Sequence, residues 1–431
     1  MSKNSHFKSN FSPSDRQKEI YIGGLSGQLP EIPMDFARLE RQAKERLSTR
    51  AFTYIAGGAG INTTVKNNRS AFDDWQIVPR MLRDVSQRDT SIKLFGDDLR
   101  TPFLSCPIGV LELAHPKADL ALAKANAALG IPMIFSNQAS VAMEKCAAVM
   151  GNSPRWFQLY WSKSNDLVGS LVRRAEACGC SAITVTLDTT LLGWRVQDLD
   201  LAYLPFLEGK GIAQYISDPV FQKLIDEPDT EPAPARNKLS WNLIRSIYQL
   251  MSSYPGGFFQ NLRTQRPLKA VRKFISIYSR PSLTWEDLAF LRTQTKLPVV
   301  LKGVLHPDDA RKAIDYGMDG IIVSNHGGRQ VDGSIASIRA LPAITEVVNQ
   351  QIPVLLDSGI RGGADMFKAL ALGATAVCLG RPYVYALALG GEAGVKTFYK
   401  NMMADFELTM GLAGCRSIAE IDPNALIKAR K

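Results

Sequence analysis

From about residue 100 the chain alternates short, wholly apolar runs with longer stretches of helical period. The runs are FLSCPIGV (103–110), MIFS (133–136), WFQLY (156–160), AITVTL (182–187), VVLKG (299–303), GIIVS (320–324), VLLD (354–357) and AVCLG (376–380). Helical spacing follows at ADLALAKANAALG (118–130), near 141–150 and 166–177, at LTWEDLAFLRTQT (283–295), over 307–316, and in LPAITEVVN and ADMFKALALG. Apolarity that is continuous rather than alternating marks strands buried on both faces. Eight such strand–helix units predict an α/β fold, a (β/α)8 TIM barrel of parallel strands. Ahead of them, Phe36, Leu39, Ala43 and Leu47 share one face of a helix expected to start after Pro33, an N-terminal helical segment. The expected layout is a disordered lead-in over 1–32, one barrel domain over 33–420 and a C-terminal tail over 421–431.

The alternation breaks after the fourth strand. About 205–281 reads as a long insertion, with a linker-like PDTEPAPARN and a turn cluster SSYPGG. It lies on the C-terminal side of the strands, where barrels keep their chemistry, so it is either an active-site cover or a surface loop. Charge singles out the same region. The chain of 431 residues carries a net charge of +10, yet 236–280 holds many Lys and Arg and no acid, so the remainder is nearly neutral. Leu268, Val271, Ile275 and Tyr278 share a helical face beside Lys269, Arg272 and Lys273, a pattern that would suit an anionic membrane or acidic partner. No aromatic-rich module accompanies the charge, so nucleic acid is not expected. No apolar run reaches the length of a membrane span. Six scattered cysteines predict free thiols in a reducing, cytoplasmic setting, with no metal site.

Ionisable and polar groups gather at the strand ends: Gln158 and Tyr160, Thr186 and Asp188, Lys302, Ser324 and His326, Asp357, and Arg381. Polar ends on six consecutive strands predict one shared site. After strands seven and eight, DSGIRGG (357–363) and GRP (380–382) run into helix starts. Glycine amides, a helix dipole and two arginines, Arg361 and Arg381, predict a phosphate cradle. No GxGxxG follows a strand, which leaves a Rossmann site unsupported. In SNHGGRQ (324–330), His326 has the intrinsic pKa for proton transfer near neutrality, and Arg329 can hold a carboxylate bidentately beside it. His115 and His306, each before a proline near a helix start, read as structural.

SNHGGRQ, DSGIRGGAD and GRP together resemble the signature of the FMN-dependent α-hydroxy acid oxidase and dehydrogenase family, over about 33–204 and 282–420. DTTLLGWR (188–195) is most similar to the lactate 2-monooxygenase branch. The resemblance implies FMN as cofactor, a small 2-hydroxy acid and oxygen as substrates, and a homo-oligomer, tetramer or octamer. It implies that His326 is the base, that Asp188 stabilises its imidazolium, and that Arg195 and Arg329 clamp the substrate carboxylate. Tyr54 and Tyr160 would bond substrate oxygens, and Lys302 would stabilise the reduced flavin. Pro107, Ile108, Gly109, Ser136, Gln158, Thr186 and Ser324 would contact the flavin ring or ribityl chain. Asp357, Gly359, Arg361, Gly380 and Arg381 would hold the ribityl hydroxyls and phosphate. An alternative is an oxidase or dehydrogenase of a longer hydroxy acid. Two local expectations are also open to test: Gly109 in place of alanine should open space beside the flavin, and Asp188 could pair with nearby Arg195.

Overall fold

The computed structural model describes residues 15–227 and 241–429. Its centre is a closed barrel of eight parallel strands in chain order: β1 (Phe103–Ser105), β2 (Met133–Phe135), β3 (Arg155–Leu159), β4 (Ile183–Thr186), β5 (Val299–Val304), β6 (Gly320–Val323), β7 (Val354–Leu356) and β8 (Ala376–Leu379). The corresponding helices are α1 (Ala118–Leu129), α2 (Met143–Met150), α3 (Asn165–Ala177), α4 (Leu288–Gln294), α5 (Pro307–Asp315), α6 (Ser337–Val348), α7 (Gly363–Ala371) and α8 (Arg381–Leu412). The sequence reading of the architecture holds, but the strands are shorter than the apolar runs. Tyr160, Ser324, Asp357 and Gly380 each lie just past a strand end, where the backbone leaves the ladder.

Successive strand residues point to opposite faces. Leu104, Ile134, Trp156, Val300, Ile322, Leu355 and Cys378 fill the barrel interior, all 2 % exposed or less. Their neighbours Phe103, Met133, Phe157, Leu301, Ile321 and Val377 join the larger core beneath the helices. A hairpin that the apolar pattern did not reveal, Ile92–Leu94 against Asp97–Leu99, adds Leu94 and Leu99 to the interior cluster, and Phe95 tilts against Trp156 at 5.4 Å between centroids. Its two-residue turn, Phe95-Gly96, has φ of 47° and 84°, the left-handed pair that a tight hairpin of natural twist requires.

Three expectations at the periphery are corrected. The supposed lead-in contains a helix, Arg16–Leu25, which Arg16 ties to Asn401 on α8 at 2.9 Å. The tail ends in a strand, Leu426–Lys428, antiparallel to Trp75–Ile77. The basic amphipathic face is not available to a membrane. Helix Arg266–Ile277 buries Val271 and Phe274, and Leu268, Ile275 and Tyr278 pack on the core, so the apolar stripe faces inward. PDTEPAPARN (228–237) lies outside the described residues. His115 and His306 accept the backbone N–H groups of Lys117 and Asp308, each at 3.1 Å, at the starts of α1 and α5. Among the described residues no helix is long and apolar enough to cross a membrane.

Candidate active site

The barrel mouth holds an open cavity, whose empty space together with the solvent at its opening comes to about 1170 Å³. Tyr54, Pro107, Ile108, Gly109, Tyr160, Arg195, Lys302, His326, Arg329, Asp357, Gly359, Arg361, Gly380 and Arg381 all line it. Asp188, Ser136, Gln158, Thr186 and Ser324 do not. They form the layer that supports the lining: Ser136 donates to Gln158 at 3.2 Å, Gln158 donates to Thr186 at 3.0 Å, and Ser324 accepts from Lys302 at 3.0 Å.

His326 stands in a short turn after β6 with φ of 57°, left-handed for a residue with a side chain. Its N–H is held by Ser324 Oγ at 3.0 Å. A reciprocal amide pair supports the turn from outside: Asn325 and Asn68 exchange hydrogen bonds of 2.7 and 2.8 Å, and Asn325 Oδ1 also takes the Gly328 N–H. The imidazole Nδ1 meets Asp188 Oδ1 at 2.8 Å. Gly303 makes room for that aspartate. The β5 ladder slips at this point, and a Cβ on Gly303 would lie 2.8 Å from the Asp188 Cβ.

Charges on this side are balanced inside the protein. Lys302 Nζ lies 3.3 Å from Asp357 and 3.9 Å from Asp188. Burial works against the ammonium, but the two carboxylates outweigh it and lift its pKa above the usual lysine range. For His326 burial dominates. Asp188 opposes it, Lys302 adds to it, and the imidazole falls below its ordinary pKa, neutral and ready to accept a proton. Burial pushes Asp188 up, yet His326 and Lys302 bring it below the carboxylate range, so it is ionised. Burial holds the Tyr160 hydroxyl protonated, its pKa raised to about 12. Cys106 lines the cavity and donates to Asp357 at 3.4 Å; burial raises its pKa and keeps the thiol neutral.

The other side of the cavity is cationic. Arg195 donates to the Arg329 carbonyl at 3.3 Å and to Gln330 Oε1 at 3.2 Å, so the alternative pairing with Asp188 is not made. Arg329 lies over the Tyr54 ring at 4.9 Å and donates to the carbonyls of Tyr54 and Gly57. Burial, with Arg195 close by, pushes it down to about 9. A guanidinium keeps its proton at any working pH, so Arg329 stays charged. Arg381 spans the carbonyls of Ile55, Gly57 and Gly327. Arg361 stacks on Phe36 at 4.1 Å, its Nε is buried with no partner, and burial lowers it to about 10. Among the described residues none of these four arginines makes a salt bridge with a carboxylate.

That unpaired Nε and the accumulated charge fit a phosphate at Arg361 and Arg381. The helix start contributes less than the sequence implied. The N–H groups of Arg361 and Gly363 are already given to Asp365 and Asp405. Gly359, with φ of 99°, passes so close to the Asn68 carbonyl that a Cβ would overlap it. The expectation for Gly109 is overturned as well. A Cβ there would meet the Gln138 carbonyl at 2.9 Å and its Cβ at 3.0 Å, so the space the missing methyl leaves is taken up by Gln138. Gln138 itself lines the cavity, as do Leu191, Leu192, Phe206 and Tyr278, none of which was assigned to the site from sequence. Tyr278 had been seen only as part of an amphipathic stripe. Aromatic contacts carry it back to the barrel: Tyr278 stacks on Phe274, Phe274 meets Tyr215 edge-on, and Tyr215 accepts from Asn137 at 2.7 Å.

The barrel mouth thus brings four arginines into one cavity with a neutral histidine that an ionised aspartate braces. Residues 43–428 match the FMN-dependent dehydrogenase family. The chain is 40% identical over 410 residues to an L-lactate oxidase of Lysinibacillus sphaericus, covering 95% of this chain and 96% of that one. It is 39% identical to an FMN-dependent alpha-hydroxy acid dehydrogenase of Penicillium citrinum, covering 95% and 94%. The crystal structure of mandelate oxidase with (S)-4-hydroxymandelic acid superposes with a TM-score of 0.75 at 34% identity, covering 92% of this chain and 99% of that one. The chain belongs to the FMN-dependent dehydrogenase family, and FMN is its cofactor.

Proposed function

We propose that the protein oxidises a small L-2-hydroxy acid of about lactate size and passes the electrons to oxygen. The observation that carries this is the pairing of a neutral His326, braced by Asp188 at 2.8 Å, with arginines in the same cavity that make no salt bridge among the described residues. Arg361 and Arg381 would hold the FMN phosphate, with Asp357 and Gly359 beside them and Pro107, Ile108 and Gly109 along the ring. Bound FMN would supply the two-electron acceptor.

Arg195 and Arg329 hold the substrate carboxylate, and the Tyr54 hydroxyl and the protonated Tyr160 hydroxyl orient the hydroxyl oxygen. His326 takes a proton from the substrate, and ionised Asp188 stabilises the imidazolium across Nδ1. Lys302, kept cationic by Asp357 and Asp188, offers positive charge where electrons accumulate. Among the relatives are proteins named L-lactate oxidase and 4-hydroxymandelate oxidase, which supports the 2-hydroxy acid class and leaves room for a longer side chain.

A second outcome, oxidative decarboxylation, requires the oxo acid and hydrogen peroxide to meet before release. The wall that Phe206 and Tyr278 contribute from the insertion favours such retention. Anaerobic mixing of the flavin-loaded protein with L-lactate should bleach the flavin absorbance, and failure with lactate and every other short 2-hydroxy acid would overturn the proposal. In air, one peroxide per acid consumed identifies the oxidase outcome. A deficit of peroxide matched by carbon dioxide identifies retention.

A further inference from the structure

The loop after β4 and the loop after β6 carry different halves of the chemistry, and one side chain joins them. Gln330 Nε2 donates to the Asp188 carbonyl at 2.7 Å and to the Leu191 carbonyl at 2.8 Å. Its Oε1 accepts from Arg195 Nη2 at 3.2 Å. Both amide hydrogens and an acceptor position are therefore spent on the neighbouring loop. The backbones come close enough for this only because residue 193 is glycine. A Cβ there would sit 2.5 Å from the Arg329 carbonyl oxygen and 2.8 Å from the Gln330 Cα. Asp188 faces His326, Arg195 faces the cavity, and Leu191 forms part of its wall, so all three contacts of one amide end on residues that the proposed reaction uses.

We propose that Gln330 is a positioning residue. It fixes the Asp188 main chain so that the carboxylate meets the His326 ring, and it aims Arg195 at the substrate carboxylate. The inference rests on the functional reading above. A carboxamide suits the place better than any other side chain of its length. Lysine would lack the acceptor for Arg195, and a carboxylate would set like partial charges against two carbonyl oxygens. Because Gln330 touches neither Arg361 nor Arg381, its loss should leave the cofactor cradle intact.

Two variants of the FMN-loaded protein test this. Gln330→Ala should keep its flavin, lower oxalate affinity about tenfold and slow anaerobic flavin reduction roughly ten- to hundredfold, the scale expected from losing hydrogen bonds to a charged group and to the chain that carries another. Gln330→Glu keeps the length and the acceptor facing Arg195, and regains one donor only when its carboxyl is protonated. The ratio of its reduction rate to that of the unaltered protein should rise as pH falls, a signature that simple loss of packing does not produce. Should Gln330→Ala fail to fold, the pH course of Gln330→Glu decides. A flat ratio, or Gln330→Ala with unaltered oxalate binding and reduction, overturns the positioning role alone. An unaltered protein that binds no oxalate overturns the substrate reading itself, and Gln330 with it.

Discussion

The two walls of the active-site cavity differ in how their charges are settled. In one, the charges pair within the chain: Lys302 lies between Asp357 and Asp188, and His326 is against Asp188. In the other, Arg195, Arg329, Arg361 and Arg381 rest on carbonyls and aromatic rings, and among the described residues none of them makes a salt bridge with a carboxylate. A buried guanidinium without a counter-ion is costly, and a fold retains it where a ligand supplies the anion. Internally balanced charge suits a group that must exchange a proton without drawing in water. Charge left open suits binding. On the proposed reading, proton transfer falls to the first and anion capture to the second.

The hardest blow to that division is His326→Gln. Flavin reduction should fall by about two orders of magnitude or more, the contribution of a general base, while FMN content and oxalate affinity stay near those of the unaltered protein. Reduction at a normal rate in an anaerobic stopped-flow trace would remove His326 from the proton-transfer wall.

Arg329→Lys strikes the other wall. It keeps the charge and loses the planar fork, so oxalate affinity should drop about tenfold, with reduction slowed alongside. Arg195→Lys should act in the same direction. The double variant should lose less than the product of the single losses, because both arginines grip one carboxylate. Unchanged oxalate titration curves in Arg329→Lys would contradict the clamp.

The smallest effect is a shift of pH profile. The rate of reduction depends on neutral His326, whose pKa is held below its ordinary value near 6.5 by burial and Lys302 and partly restored by Asp188. Activity should therefore be complete above that lowered value and fade below it. Removing the restoring charge in Asp188→Asn should move the acid limb further down and also lower the plateau. An acid limb that moves up instead would mean that Asp188 does not stabilise the imidazolium.

The barrel and most of the cavity lining were legible from sequence because both rest on local signals. Short apolar runs such as AITVTL, repeated between helical stretches, read as buried strands, and polar residues at their ends gather at or just beneath the mouth. What escaped has nonlocal causes. The hairpin at 92–99 is short and its turn residue Phe95 hides a left-handed pair that Gly96 alone did not betray. Tyr278 and Phe206 belong to an insertion whose helical stripe looks the same whether it meets a membrane or its own core. Gln330 was visible within SNHGGRQ, but nothing in the spacing says that its amide spans to Asp188 and Leu191. The error over Gly109 is of the same kind, since the neighbour that fills its missing methyl, Gln138, comes from another loop.

The hairpin built on Phe95-Gly96 also governs traffic. Its Leu94 and Leu99 stopper the barrel at the base, opposite the mouth, and the interior above them is solid side chain. The proposed hydroxy acid, its oxo acid, oxygen and peroxide would then travel by way of the mouth, which Leu191, Leu192 and Tyr278 line. On that reading the order in which molecules leave, rather than the bond-breaking step, would set what the protein finally releases.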